Sequence, residues 1–195
     1  MKSNYVFNQK ETDCQNYYFF KDGFTKEELN KISKDVNSLQ FVDAITAGSV
    51  SKEIRSSRVK WIPQNDNWRW VYEKLATYAV QANEALWKFN LYSMPEMIQY
   101  TEYLASDGGH YTWHQDIGPN ELSLRKVSLT VQLSEDDEYE GGDLEFNQGG
   151  SGGIMAPRGA GTVVIFPSYL MHRVNQITKG TRKSFVIWVG GEHYK

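Results

Sequence analysis

From about residue 96 onward the chain breaks into short apolar runs, separated by Gly, Asp, Asn and Pro every 8–12 residues. The runs fall at 97–104, 110–115, 126–133, 143–147, 152–156, 162–166, 170–175 and 182–189. Each is short for a helix and of ordinary length for a strand. Gly141-Gly142, Gly149-Gly150-Ser151-Gly152-Gly153 and Gly159-Ala160-Gly161 supply the turns. This pattern predicts a mainly β fold, a jelly roll or sandwich of about eight strands. Six Trp, twelve Tyr and nine Phe favour the same reading, because aromatics suit strands and large packed surfaces.

The preceding residues read differently. Tyr5-Val6-Phe7 and Tyr17-Tyr18-Phe19-Phe20 are short strand candidates, and Lys21-Asp22-Gly23 is a turn signal. Thr25-Lys26-Glu27-Glu28 is a capping box. Leu29, Ile32, Val36 and Leu39 then recur at helical spacing, which predicts a helix over 26–39. Ala47-Gly48-Ser49 reads as a loop, and 54–62 as a single strand ended by Pro63. A second helix is predicted from an Asn65/Asp66 cap to near Phe89-Asn90, with Trp68, Val71, Leu75, Tyr78, Ala82 and Leu86 on one face. Both helices are expected to pack on one face of the barrel. With no internal repeat and no linker, residues 1–195 are expected to form one domain, in which 1–95 support a jelly-roll core at 96–190. The 41–53 and 147–153 segments read as lids or as plain surface connections.

A net charge of -3 gives no electrostatic argument for nucleic acid. Cys14 is the one cysteine, which excludes an intramolecular disulfide and suits a reducing compartment. The start of the chain carries no long apolar run or cleavage-like signal, and no segment approaches the roughly 20 apolar residues of a membrane span. The expectation is a soluble, cytoplasmic protein.

Chemistry concentrates in Gly108-Gly109-His110-Tyr111-Thr112-Trp113-His114-Gln115-Asp116. On a strand, period-2 geometry places His114 and Asp116 on one face. A metal there needs a third ligand, and His172 is the candidate donor, close after the apolar run Thr162–Phe166. Two histidines and a carboxylate make the facial triad of non-haem Fe(II) oxygenases, with open positions for a co-substrate and O₂. Alone, His-x-Asp is weak, and a hydrogen-bonded strand-edge histidine explains it as well. Arg182, ten residues past His172, suits a dicarboxylate co-substrate because a guanidinium grips a carboxylate with paired hydrogen bonds. Its bland alternative is a surface charge. Tyr103 and Tyr111 flank the first metal segment as candidate pocket hydroxyls; core packing is their alternative. Trp113, Val127, Leu129 and Trp188 are expected to line a dry pocket.

These residues resemble the prolyl 4-hydroxylase-type branch of the 2-oxoglutarate- and Fe(II)-dependent dioxygenases. Residues 109–116 match its Gly-x-Tyr-x-x-His-x-Asp segment, and His172, Arg182 and Trp188 match its distal block. Gly141-Gly142-Asp143-Leu144-Glu145-Phe146 resembles its Gly-Gly-(Glu/Asp)-x-x-Phe hairpin. Pro167-Ser168 before His172 is similar to the small bacterial and phage members, the PKHD-type branch. The resemblance covers roughly residues 17–190. It implies a double-stranded β-helix of cupin-like form. It implies iron on His114, Asp116 and His172, and the distal carboxylate of 2-oxoglutarate on Arg182. Tyr103 and Tyr111 correspond to pocket tyrosines. Fe(II), 2-oxoglutarate and O₂ are then the reactants, with ascorbate a candidate reductant, succinate and CO₂ the co-products, and a prolyl residue of a peptide or protein the expected target. Two departures are a longer loop between Tyr103 and Gly108, and Gln132 where some members place a tyrosine.

Rival readings are a metallohydrolase using the same triad, and a non-catalytic jelly-roll binding module. A dicarboxylate anchor serves no purpose in the first. A dioxygenase acting on a free amino acid or a nucleobase is a further alternative. The nucleobase version is disfavoured, since no second arginine follows Arg182.

Overall fold

The computed structural model describes residues 16–43, 51–149 and 152–193. The expected strand at 5–7, the 47–49 loop and parts of both candidate lids lie outside these residues. In chain order the elements are β1 (Tyr18–Phe20), α1 (Lys26–Val36), β2 (Val42–Asp43), β3 (Arg55–Ser56), β4 (Arg58–Ile62) and α2 (Arg69–Ala85). They continue with β5 (Leu91–Ser93), β6 (Ile98–Leu104), β7 (His110–His114), β8 (Arg125–Gln132), β9 (Tyr139–Gly141) and β10 (Leu144–Asn147). The last are β11 (Gly153–Met155), β12 (Val163–Pro167), β13 (His172–Val174) and β14 (Ile177–Gly191).

The strands form two antiparallel sheets. The larger runs β1-β12-β8-β14-β6-β4-β2, with β5 and β9 also pairing with β14; the smaller runs β11-β10-β13-β7-β3. This is the expected jelly roll, a double-stranded β-helix with both helices against one face of the larger sheet.

Both predicted helices form, but α2 ends at Ala85 rather than near Phe89-Asn90, because Lys88 turns to φ 56° and Phe89 N donates to Asn83 Oδ1 instead of a helical carbonyl. Glu28 N donates to Thr25 Oγ1, and Thr25 N donates back to the Glu28 carboxylate at 2.8 Å, closing the capping box. The α-helix stops at Val36 rather than 39, because Ser38 N and Leu39 N close a turn on Asp35 O and Val36 O. In α2 the cap sits outside the helix: Asn65 Oδ1 accepts from Trp68 N, and regular helix starts at Arg69. Ile32, Val36, Trp68, Val71, Leu75, Ala79 and Ala82 are buried against Val127, Leu129, Val131, Phe185 and Ile187 of the sheet.

Two strands differ from expectation in ways that matter for the site. The run 54–62 is not one strand. Arg55–Ser56 pairs with β7 in the smaller sheet, and Arg58–Ile62 pairs with β6 in the larger one. The chain changes sheets at Ser57. The last strand is longer than its apolar run, since pairing with β9, β8, β6 and β5 in turn holds it extended from Ile177 to Gly191. Arg182 therefore sits inside a strand, paired with Tyr103, rather than at its start.

Candidate metal centre

The cavity between the sheets takes residues from both. Tyr103, Thr130, Phe166, Arg182, Ser184 and Val186 come from the larger sheet; Arg55, Tyr111, His114, Leu144, His172 and Val174 come from the smaller, with Asp116 beyond β7. A larger hollow, about 540 Å³ beside the start of α2, is an open surface groove lined by Gln64, Asn65, Arg69, Tyr72 and Met94. Among the described residues it holds no metal-ligating cluster, so size does not mark the chemistry here.

His114 and His172 are direct partners across the β7–β13 ladder. Strand β7 ends at His114, so Asp116 is not on the strand. Its backbone N–H donates to Ser168 O at 2.9 Å, which turns the carboxylate back toward the histidines. His114, Asp116 and His172 each offer a ligand atom, all within 4.8 Å of one another. Each imidazole lies with Nδ1 against a carbonyl, 2.7 Å from Thr112 O for His114 and 2.8 Å from Leu170 O for His172. A carbonyl only accepts, so Nδ1 is the donor in both rings, and Nε2 is the nitrogen left to face a cation. Both Nε2 atoms stand 3.7 Å from an Asp116 oxygen, too far for a hydrogen bond. Three donors that converge without bonding one another are what a cation requires.

Surrounding groups hold this set. Ser128 Oγ donates to Asp116 Oδ2 at 2.7 Å, and Ser168 Oγ lies 3.0 Å from Ser128 Oγ. Burial pushes the Asp116 carboxyl up, but His172, His114 and the Ser128 hydrogen bond outweigh it and the net displacement is downward. The buried Trp188 indole N–H lies beside the same carboxylate and favours its charge without closing a hydrogen bond of ordinary geometry. His114 is pushed down to about 4, by burial first and by His172 second. It is therefore neutral and able to ligate at neutral pH. The Tyr111 ring stacks on His114 at 3.5 Å, and Phe166 meets His172 edge-on at 4.7 Å. Tyr111 and His114 share a face although three residues apart, because the β7–β13 register shifts between them.

Arg182 is 2 % exposed, and its Nη2 donates to Gln132 Oε1 at 2.9 Å. The ring of Tyr103 lies 5.6 Å from its guanidinium carbon. Among the described residues no carboxylate pairs with it. The Gly-Gly hairpin makes room for it. Gly142 has φ 65°, and a Cβ there would stand 2.7 Å from Ile177 and 3.3 Å from Arg182 Cδ. Gly109 serves the other wall: a Cβ there would stand 2.7 Å from Leu104 N.

The structure thus brings together His114, Asp116, His172, Arg182, Tyr103 and Tyr111. It separates three residues expected in the lining. Val127 and Leu129 point into the helix-covered core, and Trp113 lies on the outer face, 37 % exposed, with Arg173 over its ring at 4.6 Å. Each is one residue out of phase with the pocket. Trp188 does face the site, with the Arg125 guanidinium 3.6 Å from its ring centre. Sequence reasoning missed Arg55, Ser128 and Thr130. Arg55 is nearly buried, donates to Ser57 Oγ and Gln99 Oε1, and lies over the Tyr111 ring. Nothing local marks it, since its position depends on the change of sheet at Ser57.

Two imidazoles and one carboxylate on adjoining elements, with a buried arginine across the cavity, match the donor pattern of non-haem Fe(II) oxygenases. Residues 98–190 match the family model described as the 2OG-Fe(II) oxygenase superfamily. A PKHD-type hydroxylase of Picosynechococcus sp. is 31 % identical over 171 residues, covering 85 % of this chain and 74 % of that protein. A PKHD-type hydroxylase of Teredinibacter turnerae is 36 % identical over 103 residues, 50 % of this chain and 45 % of that protein, so this match spans less than half of the relative. Among solved structures, a prolyl hydroxylase from Trichoplax adhaerens in complex with a hypoxia inducible factor peptide fragment has a TM-score of 0.76 at 17 % identity, covering 90 % of this chain and 84 % of that one. A Pseudomonas putida prolyl-4-hydroxylase has a TM-score of 0.73 at 16 % identity, covering 92 % and 94 %. At such identities the likeness speaks for the fold. The chain belongs to the 2OG-Fe(II) oxygenase superfamily, among the PKHD-type hydroxylases. Membership implies Fe(II), 2-oxoglutarate and O₂, and a donor set of two imidazoles and one carboxylate fits that ion. Among the described residues no helix is long and apolar enough to cross a membrane.

Proposed function

We propose that this protein is an Fe(II)- and 2-oxoglutarate-dependent dioxygenase that hydroxylates a prolyl residue in a peptide or protein. The observation that carries this is the pairing of a converging His-Asp-His set with a buried, un-neutralised Arg182 in one cavity. His114, Asp116 and His172 would hold Fe(II). Bound there, the iron supplies oxidative decarboxylation of the oxo acid, giving succinate and CO₂, coupled to hydroxylation of a C–H bond.

The chain's own residues do the rest. Ser128 keeps Asp116 ionised and aimed, and the Thr112 and Leu170 carbonyls keep each imidazole in the ligating tautomer. Arg182 would grip the far carboxylate of the oxo acid by charge-assisted hydrogen bonds, with Tyr103 beside it. Phe166, Leu144, Val174 and Val186 exclude water from the cavity. Tyr111 backs His114 and lines the same cavity.

A peptide target is supported by the likeness to the peptide-bound Trichoplax prolyl hydroxylase. Extended proline-rich segments suit an aromatic-walled groove. A cytoplasmic site of action fits as well, since a reducing compartment preserves both Fe(II) and the Cys14 thiol. The test is turnover of 2-oxoglutarate against proline-containing peptides, free amino acids and oligonucleotides, with and without ascorbate, recording product masses. A gain of one oxygen on a peptide prolyl residue is expected. Oxygen gained only by an amino acid or an oligonucleotide contradicts the peptide assignment.

A further inference from the structure

The chain has seven arginines. Five pair with carboxylates: Arg58 with Glu102, Arg69 with Asp66, Arg125 with Glu96, Arg158 with Asp143 and Arg173 with Glu145. Among the described residues, only Arg55 and Arg182 have no such partner, and these are the two that line the cavity. Each donates instead to a glutamine oxygen, Arg55 to Gln99 at 2.7 Å and Arg182 to Gln132 at 2.9 Å.

For Arg182 the arrangement is enclosed. Gln132 is 3 % exposed and Arg182 2 %. Gln132 lies opposite Ser184 in the β8–β14 register, so Arg182 is its diagonal neighbour on the same face. A guanidinium has donors only, so the amide must present its oxygen. That oxygen orients the guanidinium and leaves its charge intact. A glutamate of the same shape would orient it equally well and cancel the charge. A buried cation is costly unless paired, so a neutral acceptor leaves Arg182 poised for an anion from outside the chain.

We infer that Gln132 is a positioning residue that holds Arg182 without neutralising it, and so sets the cavity's affinity for a dicarboxylate oxo acid. This rests on the reading of Arg182 as the co-substrate anchor. The test uses Mn(II), which fills the metal site without turnover, and measures binding of 2-oxoglutarate and of 2-oxobutanoate, which lacks the distal carboxylate. Wild type should bind 2-oxoglutarate at least about tenfold more tightly than 2-oxobutanoate, as expected for a charge-assisted hydrogen bond. Gln132→Glu should erase most of that preference by weakening 2-oxoglutarate about tenfold or more, leaving Mn(II) affinity and melting temperature unchanged. Gln132→Met keeps the length and removes the acceptor; it should weaken 2-oxoglutarate only a few-fold, about the loss of one hydrogen bond.

Equal losses in the two variants, or a Gln132→Glu protein that keeps the wild-type preference, would overturn the inference. Should the glutamate variant fail to fold, unchanged 2-oxoglutarate binding in Gln132→Met would overturn it instead. A wild-type protein with no preference between the two acids overturns the anchor itself, a separate and prior failure.

Discussion

The two faces of the larger sheet are built by the same strands and do opposite work. On β8, Val127, Leu129 and Val131 face the helices, while Ser128, Thr130 and Gln132 face the cavity or its wall. On β14, Phe185, Ile187 and Val189 face the helices, while Arg182, Ser184, Val186 and Trp188 face inward. Along these two strands the helix-side face is built of apolar side chains and holds the molecule together. The other buries serines, a glutamine and an arginine at a cost in stability, and repays it in positioning. Moving one residue along a strand thus changes whether a substitution is felt as folding or as chemistry.

Substitutions on either face can break or sharpen that contrast. Arg182→Ala should raise the 2-oxoglutarate concentration needed for binding by about a hundredfold, in line with losing one side of a buried charged contact. Its metal affinity, read by Mn(II) titration, should stay near wild type. Ile187→Ala, five positions on and facing the helices, should instead cost about 2–5 kcal/mol of stability by cavity formation. The protein that remains folded should bind metal and oxo acid normally; an Ile187→Ala protein of normal stability and weak binding would invert the two faces. Ser128→Ala should lower metal affinity about tenfold, the usual scale for losing a group that orients a ligand, with little change in melting temperature. The mildest effect is on pH. His114 titrates at about 4 in the fold against 6.5 outside it, so between those values the unfolded chain binds the extra proton. Metal-free protein should therefore lose stability as pH falls from 6.5 toward 4, and a His114→Asn variant should show a flatter profile in that window.

Much of this was legible before the structure, and the omissions have physical causes. The triad, Arg182 and the Gly-Gly hairpin carry spacings that few other arrangements need. The capping box and helix faces follow from local pattern. The lining was misjudged at Val127 and Leu129, although Lys126–Gln132 alternates polar and apolar along its length. That alternation announces two faces but not which one meets the cavity, because in a jelly roll covered by helices both are buried. Trp113 is adjacent to His114 and therefore points the other way. Tyr111 reaches the pocket only through the register shift in β7, and Arg55 only through the change of sheet at Ser57. Both are tertiary events with no local signature.

The most direct test is conversion of 2-oxoglutarate to succinate by purified protein with Fe(II) in air, compared between wild type and His172→Ala. His172 pairs directly with His114 and is one of three converging donors. Wild type should form succinate only when both Fe(II) and O₂ are supplied, and His172→Ala should fall to background with its fold unchanged by circular dichroism. Undiminished succinate formation by His172→Ala would contradict the assignment of the His114–Asp116–His172 set as the iron site.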